Sequence, residues 1–359
     1  MKFSERVTEL TYNEILPNIV DLVNNSNILT SRVMSKPQNW KGKTISQPVR
    51  IANSTTGSSF DGLDEFDTST TNNVRSLTWY VKGYVQPIVM SSVEKAINGA
   101  GDKKAISLLA TQLDEAKDSV IDALGDQLYG YGVGKDIEGL GLITDNGAAT
   151  SSYGGVSRAS LPLINGDTTA AAGGTLSLDL VSAEFDNVSA AGISKDAPTI
   201  AYTTKAVWSL FEKLMNSKLT ASYDPVSING YNRVTGKTPV GVSVPASSLK
   251  GAFGADSISY RGKNVVADDK CPSGVFHWMN EHYLDFYRLI DPDLKQISSK
   301  IEVTENPNRE NQQPSFLQMR DFLSPVNQLG EIAALVVLGN LIHRNPRRNG
   351  KITGITKIA

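Results

Sequence analysis

The segment that most limits how this chain can fold is an apolar run near its end, Ile332 to Ile342, which stops at a basic turn, His343-Arg344-Asn345-Pro346-Arg347-Arg348-Asn349-Gly350. The run is well short of the roughly 20 residues a helix needs to cross a bilayer. Its aliphatic and β-branched content, closed off by turn residues, predicts a long buried strand over Glu331 to Asn345 that feeds a hairpin. Such a strand has no chemistry of its own, so its use is architectural.

The 359-residue chain has enough apolar sequence, 40%, to build a sizeable core around that strand. A formal net charge of -2 leaves no global footprint for binding a polyanion. The lone cysteine, Cys271, has no partner for an intramolecular disulfide and reads as a small residue in a loop before Pro272. Met1 to Arg6 lacks the apolar centre of a secretory signal, and no segment reaches about 18 uninterrupted apolar residues. A soluble chain made in the cytoplasm is expected, with no membrane partner.

Along the chain, Leu10, Ile15, Ile19, Leu22 and Val23 predict a helical N-terminal arm between Thr8 and Val23, interrupted at Pro17. Lys43 to Ile51 and Val74 to Val85 read as strands flanking a Ser, Thr, Gly and Asp-rich tip, hence a long projecting hairpin. The clearest helix is expected from Lys103 to Leu128, where Ile106, Leu109, Leu113, Ala116, Val120, Leu124 and Leu128 recur at helical spacing. Gly130 to Gly174 reads as loops and short strands.

Further helices are expected from about Ser177, with Leu178, Val181, Phe185 and Val188 on one face, and after Thr203 or Thr204, with Val207, Leu210, Phe211 and Leu214. Strands are expected at Pro198 to Tyr202, Ser257 to Tyr260, Asn264 to Ala267, Val275 to Tyr287 and Lys300 to Thr304. Glu305 to Gln328 reads as a polar loop. Helices and strands in this order predict an α+β fold.

Chemical motifs fail on spacing. Gly130-Tyr131-Gly132-Val133-Gly134-Lys135-Asp136 has Tyr129 and Asp136 where a phosphate loop needs glycine and a hydroxyl. His277 and His282 are five residues apart and diverge on a helix or a strand, so neither geometry makes a zinc site. With three histidines and no Gly-x-Ser-x-Gly, a hydrolase triad has no anchor. Asp268 and Asp269 are expected in a solvated loop, and Asp291-Pro292-Asp293 in a turn. Neither a cofactor nor a catalytic residue is expected. What remains is charge: no acidic residue follows Glu331, so Arg344, Arg347, Arg348, Lys351 and Lys357 form a local basic excess.

The order of these pieces resembles the tailed-phage major capsid proteins of the Hong Kong 97-like fold. The resemblance rests on Phe60-Asp61-Gly62-Leu63, the acidic rod-like helix ending at Gly130, Gly139-Leu140-Gly141-Leu142-Ile143 and Tyr153-Gly154-Gly155-Val156-Ser157-Arg158. It continues through Pro198 to Thr204 leading into Trp208, Tyr260 to Asp268, Gly339-Asn340-Leu341 and Asn345 to Gly350.

The resemblance implies an N-terminal arm at 1-37, an E-loop at 38-88 and a P-domain at 89-169 and 296-345 that holds the spine helix, the long strands and a P-loop. It also implies an A-domain at 170-295, with 346-359 returning to it. The implied function is a non-enzymatic shell protein assembling with itself into hexamers and pentamers around double-stranded DNA, held by containment inside a virion. Implied partners are a separate scaffolding protein, a portal protein and a decoration protein. Candidate subunit or DNA contacts are Phe60, Asp61, Arg75, Arg158, Arg320, Asp321, Arg344, Arg347 and Arg348. The rival readings are a cellular compartment shell of the encapsulin kind, which shares the fold, and a soluble enzyme with an unrecognised site.

Overall fold

The computed structural model describes residues 27–35, 37–65, 67–94, 108–190, 194–219, 257–296, 316–325 and 329–358. The expected arm helix at Thr8 to Val23, the expected strand at Lys300 to Thr304 and the start of the expected long helix, 103–107, lie outside them.

In chain order, a short helix (Ile28–Met34) leads to β1 (Gln38–Asn39), β2 (Thr44–Arg50), β3 (Val74–Tyr80) and β4 (Lys82–Ser91). The long helix (Leu108–Tyr129) precedes one helical turn (Leu140–Ile143), β5 (Ser152–Tyr153), β6 (Val156–Ser157), β7 (Asp167–Ala170) and β8 (Thr175–Leu176). A helix (Leu178–Val188), β9 (Ile200–Thr203) and another helix (Lys205–Leu219) follow. Then come β10 (Ser257–Tyr260), β11 (Lys263–Ala267), β12 (Phe276–Met279), β13 (Leu284–Arg288), β14 (Lys295–Gln296), β15 (Gln318–Leu323), β16 (Gly330–His343), β17 (Gly350–Thr353) and β18 (Lys357–Ile358).

The apolar run is the 14-residue strand β16, hydrogen-bonded on both edges. Its residues 330–339 pair antiparallel with β4 on one side, while β15 and then β13 cover the other. Both edges being paired removes the exposed ladder that an apolar strand of this length would otherwise offer for aggregation. Ala333, Leu335 and Val337 point into the core beside Val120, Leu124 and Leu128 of the long helix. Every second residue of β16 and every fourth of the helix thus face the same core, as the periods of a strand and a helix require.

Where β4, β16 and β13 meet stands Gly339, paired with Lys82 on one side and Arg288 on the other. A Cβ there would lie 2.3 Å from the Tyr287 carbonyl oxygen and 2.9 Å from Phe286 Cζ. The obstacle is backbone, which cannot swing aside as a side chain can.

The second sheet runs β10-β11-β9-β12-β17-β7 and is buried on both faces. Ala201, Val265, Phe276, Trp278 and Ile352 face the two helices, meeting Val181, Phe185, Val188, Val207 and Phe211. Ile200, Tyr202, Val266 and Met279 face the long-helix core instead. Trp278 sits edge-on to Phe185 at 5.1 Å and to Phe276 at 5.3 Å, an arrangement that matches ring edge to ring face. Ser177 Oγ caps the first helix by accepting from Leu180 N–H, and Thr204 Oγ1 accepts from Val207 N–H on the second.

Four expectations need correction. Val275 to Tyr287 is two strands in different sheets, because the Asn280 side chain accepts from His282 N–H and starts a tight turn while its backbone N–H is held by Asn349 Oδ1. The basic turn feeds no hairpin: after His343 a single 3-10 turn, Pro346–Arg348, carries the chain into β17 of the other sheet. The polar loop contains β15, seated by buried Phe316 and Leu317. Asp268 is buried, accepting from the N–H groups of Leu29 and Lys270. Those two bonds offset the loss of water.

On the helix Leu178–Val188, facing the second sheet, Glu184 is 1% exposed; neither carboxyl oxygen has a partner at hydrogen-bond geometry, and Thr169 gives it only partial compensation. Burial, together with the charge of Asp167, pushes its pKa up from 4.5 to about 7. The folded chain therefore holds a proton that the unfolded chain releases nearer 4.5. Stability falls as pH rises through that window and levels off above it. Glu184→Gln should remove the slope, giving a higher urea midpoint than the wild type at pH 8 and a similar one at pH 4.5. Gly339→Ala should cost about 1–3 kcal/mol, the range for forced overpacking, in the same urea titration.

Candidate assembly surfaces

The hairpin of β2 and β3 projects from the body, paired from Thr44↔Tyr80 to Arg50↔Val74. Its base is locked. Leu77 and Trp79 of β3 are fully buried, Thr78 N–H donates to Gly154 O at 2.8 Å, and Trp79 lies edge-on to Tyr153 at 5.9 Å. Tyr153 in turn donates its hydroxyl to His343 O at 2.8 Å. The projection is therefore braced against the end of β16. Beyond β2 the chain is exposed, with Phe60 74% and Leu63 100% accessible. Asp61 N–H donates to Asp64 Oδ2 across Gly62, which has positive φ and turns the tip.

The short N-terminal helix is fixed to the second sheet. Arg32 forks onto Glu281, with Nε to Oε1 at 2.6 Å, and Tyr202 donates to the same oxygen at 3.0 Å. Glu281 holds the Arg32 guanidinium more firmly protonated than usual. Asn27 Nδ2 donates to Ile121 O on the long helix, which ties the start of the short helix to it.

The basic turn is organised by a neutral histidine. His343 is fully buried, and burial lowers its pKa to about 4. Its Nδ1 accepts from Asn345 N–H, so Nε2 carries the proton and donates to Asn280 O at 3.0 Å. Of the basic residues, Arg344 pairs with Asp285 at 2.8 Å and Arg348 with Asp196 at 3.3 Å. Lys351 is buried, its Nζ over the Tyr131 ring at 5.2 Å. Arg347 is exposed. The local basic excess is thus largely committed within the subunit.

The other candidate contacts divide. Phe60, Asp61, Arg75, Arg320 and Asp321 are exposed, and Asp321 pairs with Lys295 beside β15. Arg158 is not a surface contact. It is 2% exposed and its guanidinium donates to the carbonyls of Asp145, Ile164 and Leu142 at 3.0, 3.0 and 2.6 Å. One planar fork thus serves three buried carbonyls; Leu142 O and Asp145 O also accept backbone N–H groups, while Ile164 O relies on the guanidinium. The same passage needs Gly139, where a Cβ would lie 2.4 Å from Gln127 O and 2.6 Å from Leu128 O at the end of the long helix.

Among the described residues no group of three or more His, Cys, Asp or Glu side chains is placed to hold a metal ion. Likewise, no described helix is long and apolar enough to cross a membrane. His277 is buried and its pKa falls to about 3 by burial, with the Lys351 charge adding to this. Burial pushes the Cys271 thiol well up, which makes it a poor nucleophile.

Sequence reasoning missed Trp79, Arg32 and Glu281, and placed buried Asp268 in a solvated loop. Trp79 carried a usable signal, since the alternation of β3 places Leu77 and Trp79 on one face. The Arg32–Glu281 pair, 249 residues apart, carried none. Arg158→Met should strip the Ile164 carbonyl of its donor and take one donor and the compensating charge from Asp145, whose carboxylate keeps Ala149 and Thr150, and cost about 3–5 kcal/mol in a denaturant titration. Loss of fold, rather than loss of an intersubunit contact in a folded chain, is the expected result.

No protein-family model matches the chain, and no curated protein matches its sequence. Its fold does match solved structures over nearly the full length. The capsid asymmetric unit of cyanophage A-1(L) is 14% identical, covering 99% of this chain and 100% of the other, with a TM-score of 0.71. The SrpI encapsulin of Synechococcus elongatus is 11% identical, covering 99% and 96%, with a TM-score of 0.55. The capsid of a native GTA particle is 11% identical, covering 99% and 98%, with a TM-score of 0.54. At these identities the likeness is one of fold, and the fold is that of the tailed-phage capsid proteins, Hong Kong 97-like as the order of sequence pieces predicted.

Proposed function

We propose that this chain is the major capsid protein of a tailed phage, assembling with itself into the hexamers and pentamers of an icosahedral head around double-stranded DNA. The observation that carries the reading is the match to the cyanophage capsid subunit, which accounts for 99% of this chain and all of that one. No part of the described chain is left over as a separate catalytic unit, and its role is structural rather than enzymatic.

The geometry supports an assembling subunit. A hairpin braced at its base but exposed from residue 52 to its tip buries little by itself, and it gains burial only against a neighbour. We assign this hairpin, within 38-88, as the E-loop. The long helix with β4, β15 and β16 forms the P-domain, and the second sheet with its two helices forms the A-domain. Residues 346-359 return to that A-domain. DNA is retained by enclosure, given the net charge of -2 and the internal pairing of Arg344 and Arg348. Scaffolding, portal and decoration proteins are the partners this role requires or accepts, with assembly in the host cytoplasm and residence in the virion.

The likeness to the encapsulin supports a second reading, a cellular compartment shell. Electron microscopy of particles made by co-expression with neighbouring genes separates the readings. Closed shells that take up DNA are expected for a capsid, and shells filled with an enzyme cargo would favour the compartment. A chain that stays monomeric under every assembly condition, with no capsomers, tubes or shells, would overturn both.

A further inference from the structure

Glu184 occupies a place that the backbone is shaped to receive. Its helix, Leu178–Val188, crosses the end of the second sheet, where β17 and the edge strand β7 run parallel with Gly350 opposite Asp167 and Ile352 opposite Thr169. Paired residues of neighbouring strands point to one face, and Ile352 packs under the helix, so Asp167 and Thr169 also face it. A Cβ at Gly350 would fall on Glu184 Oε1. The missing side chain is what lets the carboxyl group lie on the strand next to Asp167.

Both Glu184 oxygens are sealed from solvent without a partner at hydrogen-bond geometry, and a carboxyl group so buried is costly unless a further partner compensates it. Thr169 supplies part of that compensation, while Asp167 brings a second negative charge and uses Oδ1 to accept from Thr168 N–H at 2.9 Å. The other neighbours are apolar or aromatic: Val181 and Val188 on the helix, Ile352 on β17, and Trp278 on β12, which pairs with Gly350. The nearest basic side chains along these strands turn to the opposite face, Lys351 to the Tyr131 ring and His277 to the Tyr129 ring. What the place lacks is positive charge.

We propose that Glu184, Asp167 and the Thr169 hydroxyl form a binding site for one divalent cation of the calcium class, reached from the sheet edge beside half-buried Asp167. All three donors are hard oxygens, with no nitrogen or sulfur to favour zinc. Two carboxylates match the charge of a divalent ion, and an irregular set completed by backbone carbonyls or water suits calcium better than magnesium, which demands a strict octahedron. So small a set puts the dissociation constant at about 0.1–1 mM. The bound ion ties the helix to β7 and to β17, the strand into which the basic turn leads. The site is internal to one subunit and does not depend on which shell the chain builds.

Calorimetry and thermal unfolding of the full chain in calcium chloride test the site, against a baseline in chelator. At pH 8 the wild type should bind one calcium ion more per chain than Glu184→Gln, and about 10 mM calcium should raise its melting temperature by about 3 °C. Glu184→Gln and Asp167→Asn, which keep the shapes of the side chains, should keep the melting temperatures they have in chelator. Ion and proton compete for Glu184, whose pKa stands at about 7, so the apparent affinity of the wild type should fall about tenfold from pH 8 to pH 6. Terbium, a luminescent surrogate for calcium, should light up on tryptophan excitation through Trp278, and Glu184→Gln should stay dark.

Equal calcium uptake by the wild type and Glu184→Gln would overturn the site. So would a wild-type melting temperature that calcium leaves unmoved at pH 8 while pH alone moves it, for Glu184 is then a carrier of a proton only. Should Glu184→Gln fail to fold, Asp167→Asn at the half-buried sheet edge carries the same comparison.

Discussion

The structure depends on β16 being paired along both edges. A strand of 14 residues has two ladders to satisfy, and its partners come from three distant parts of the chain, residues 82–91, 284–288 and 318–323. Drawing these together encloses one face of the sheet, and the long helix closes over that face through Val120, Leu124 and Leu128. Gly339 permits the crossing, since the Tyr287 carbonyl occupies the place of a side chain. The hairpin is then held indirectly, through Tyr153 bonding to the end of the same strand.

The elements that were legible in the sequence are those whose signal is local. The β16 run, the helix ending at Leu128, the capped helices after Ser177 and Thr204, and the hairpin strands all declare themselves by period or by cap. The long strand expected over Val275 to Tyr287 failed because its two true strands, both rich in aromatic residues, lie only four residues apart, and no glycine or proline marks the Asn280 turn between them. Which sheet each half joins is decided by Asn349 and β16, far along the chain. The basic turn was misread as a hairpin for the same reason: turn residues announce a change of direction and not its destination. β15 was hidden in polar sequence because only Phe316 and Leu317 mark its start.

At the candidate surfaces, composition showed charge but not its commitment. Arg158 and Arg347 look alike in sequence, yet one is sealed around three carbonyls and the other faces solvent. The acidic residue with the largest consequence inside the subunit, Glu184, sits among apolar neighbours at helical spacing and gives no warning of its burial. Both cases follow from the same physics. A long or ionisable side chain is placed by what surrounds it in three dimensions, and one chain read alone does not contain that distance information.

The brace at the hairpin base has a mechanical consequence. Leu77 and Trp79 are sealed and Thr78 N–H is tied to Gly154 O, so a force on the exposed tip is carried into Tyr153 and, through its bond to His343 O, into the end of β16. Trp79 packed against Tyr153 is the fulcrum of that lever, and a load taken up far out on the hairpin is felt in the central sheet.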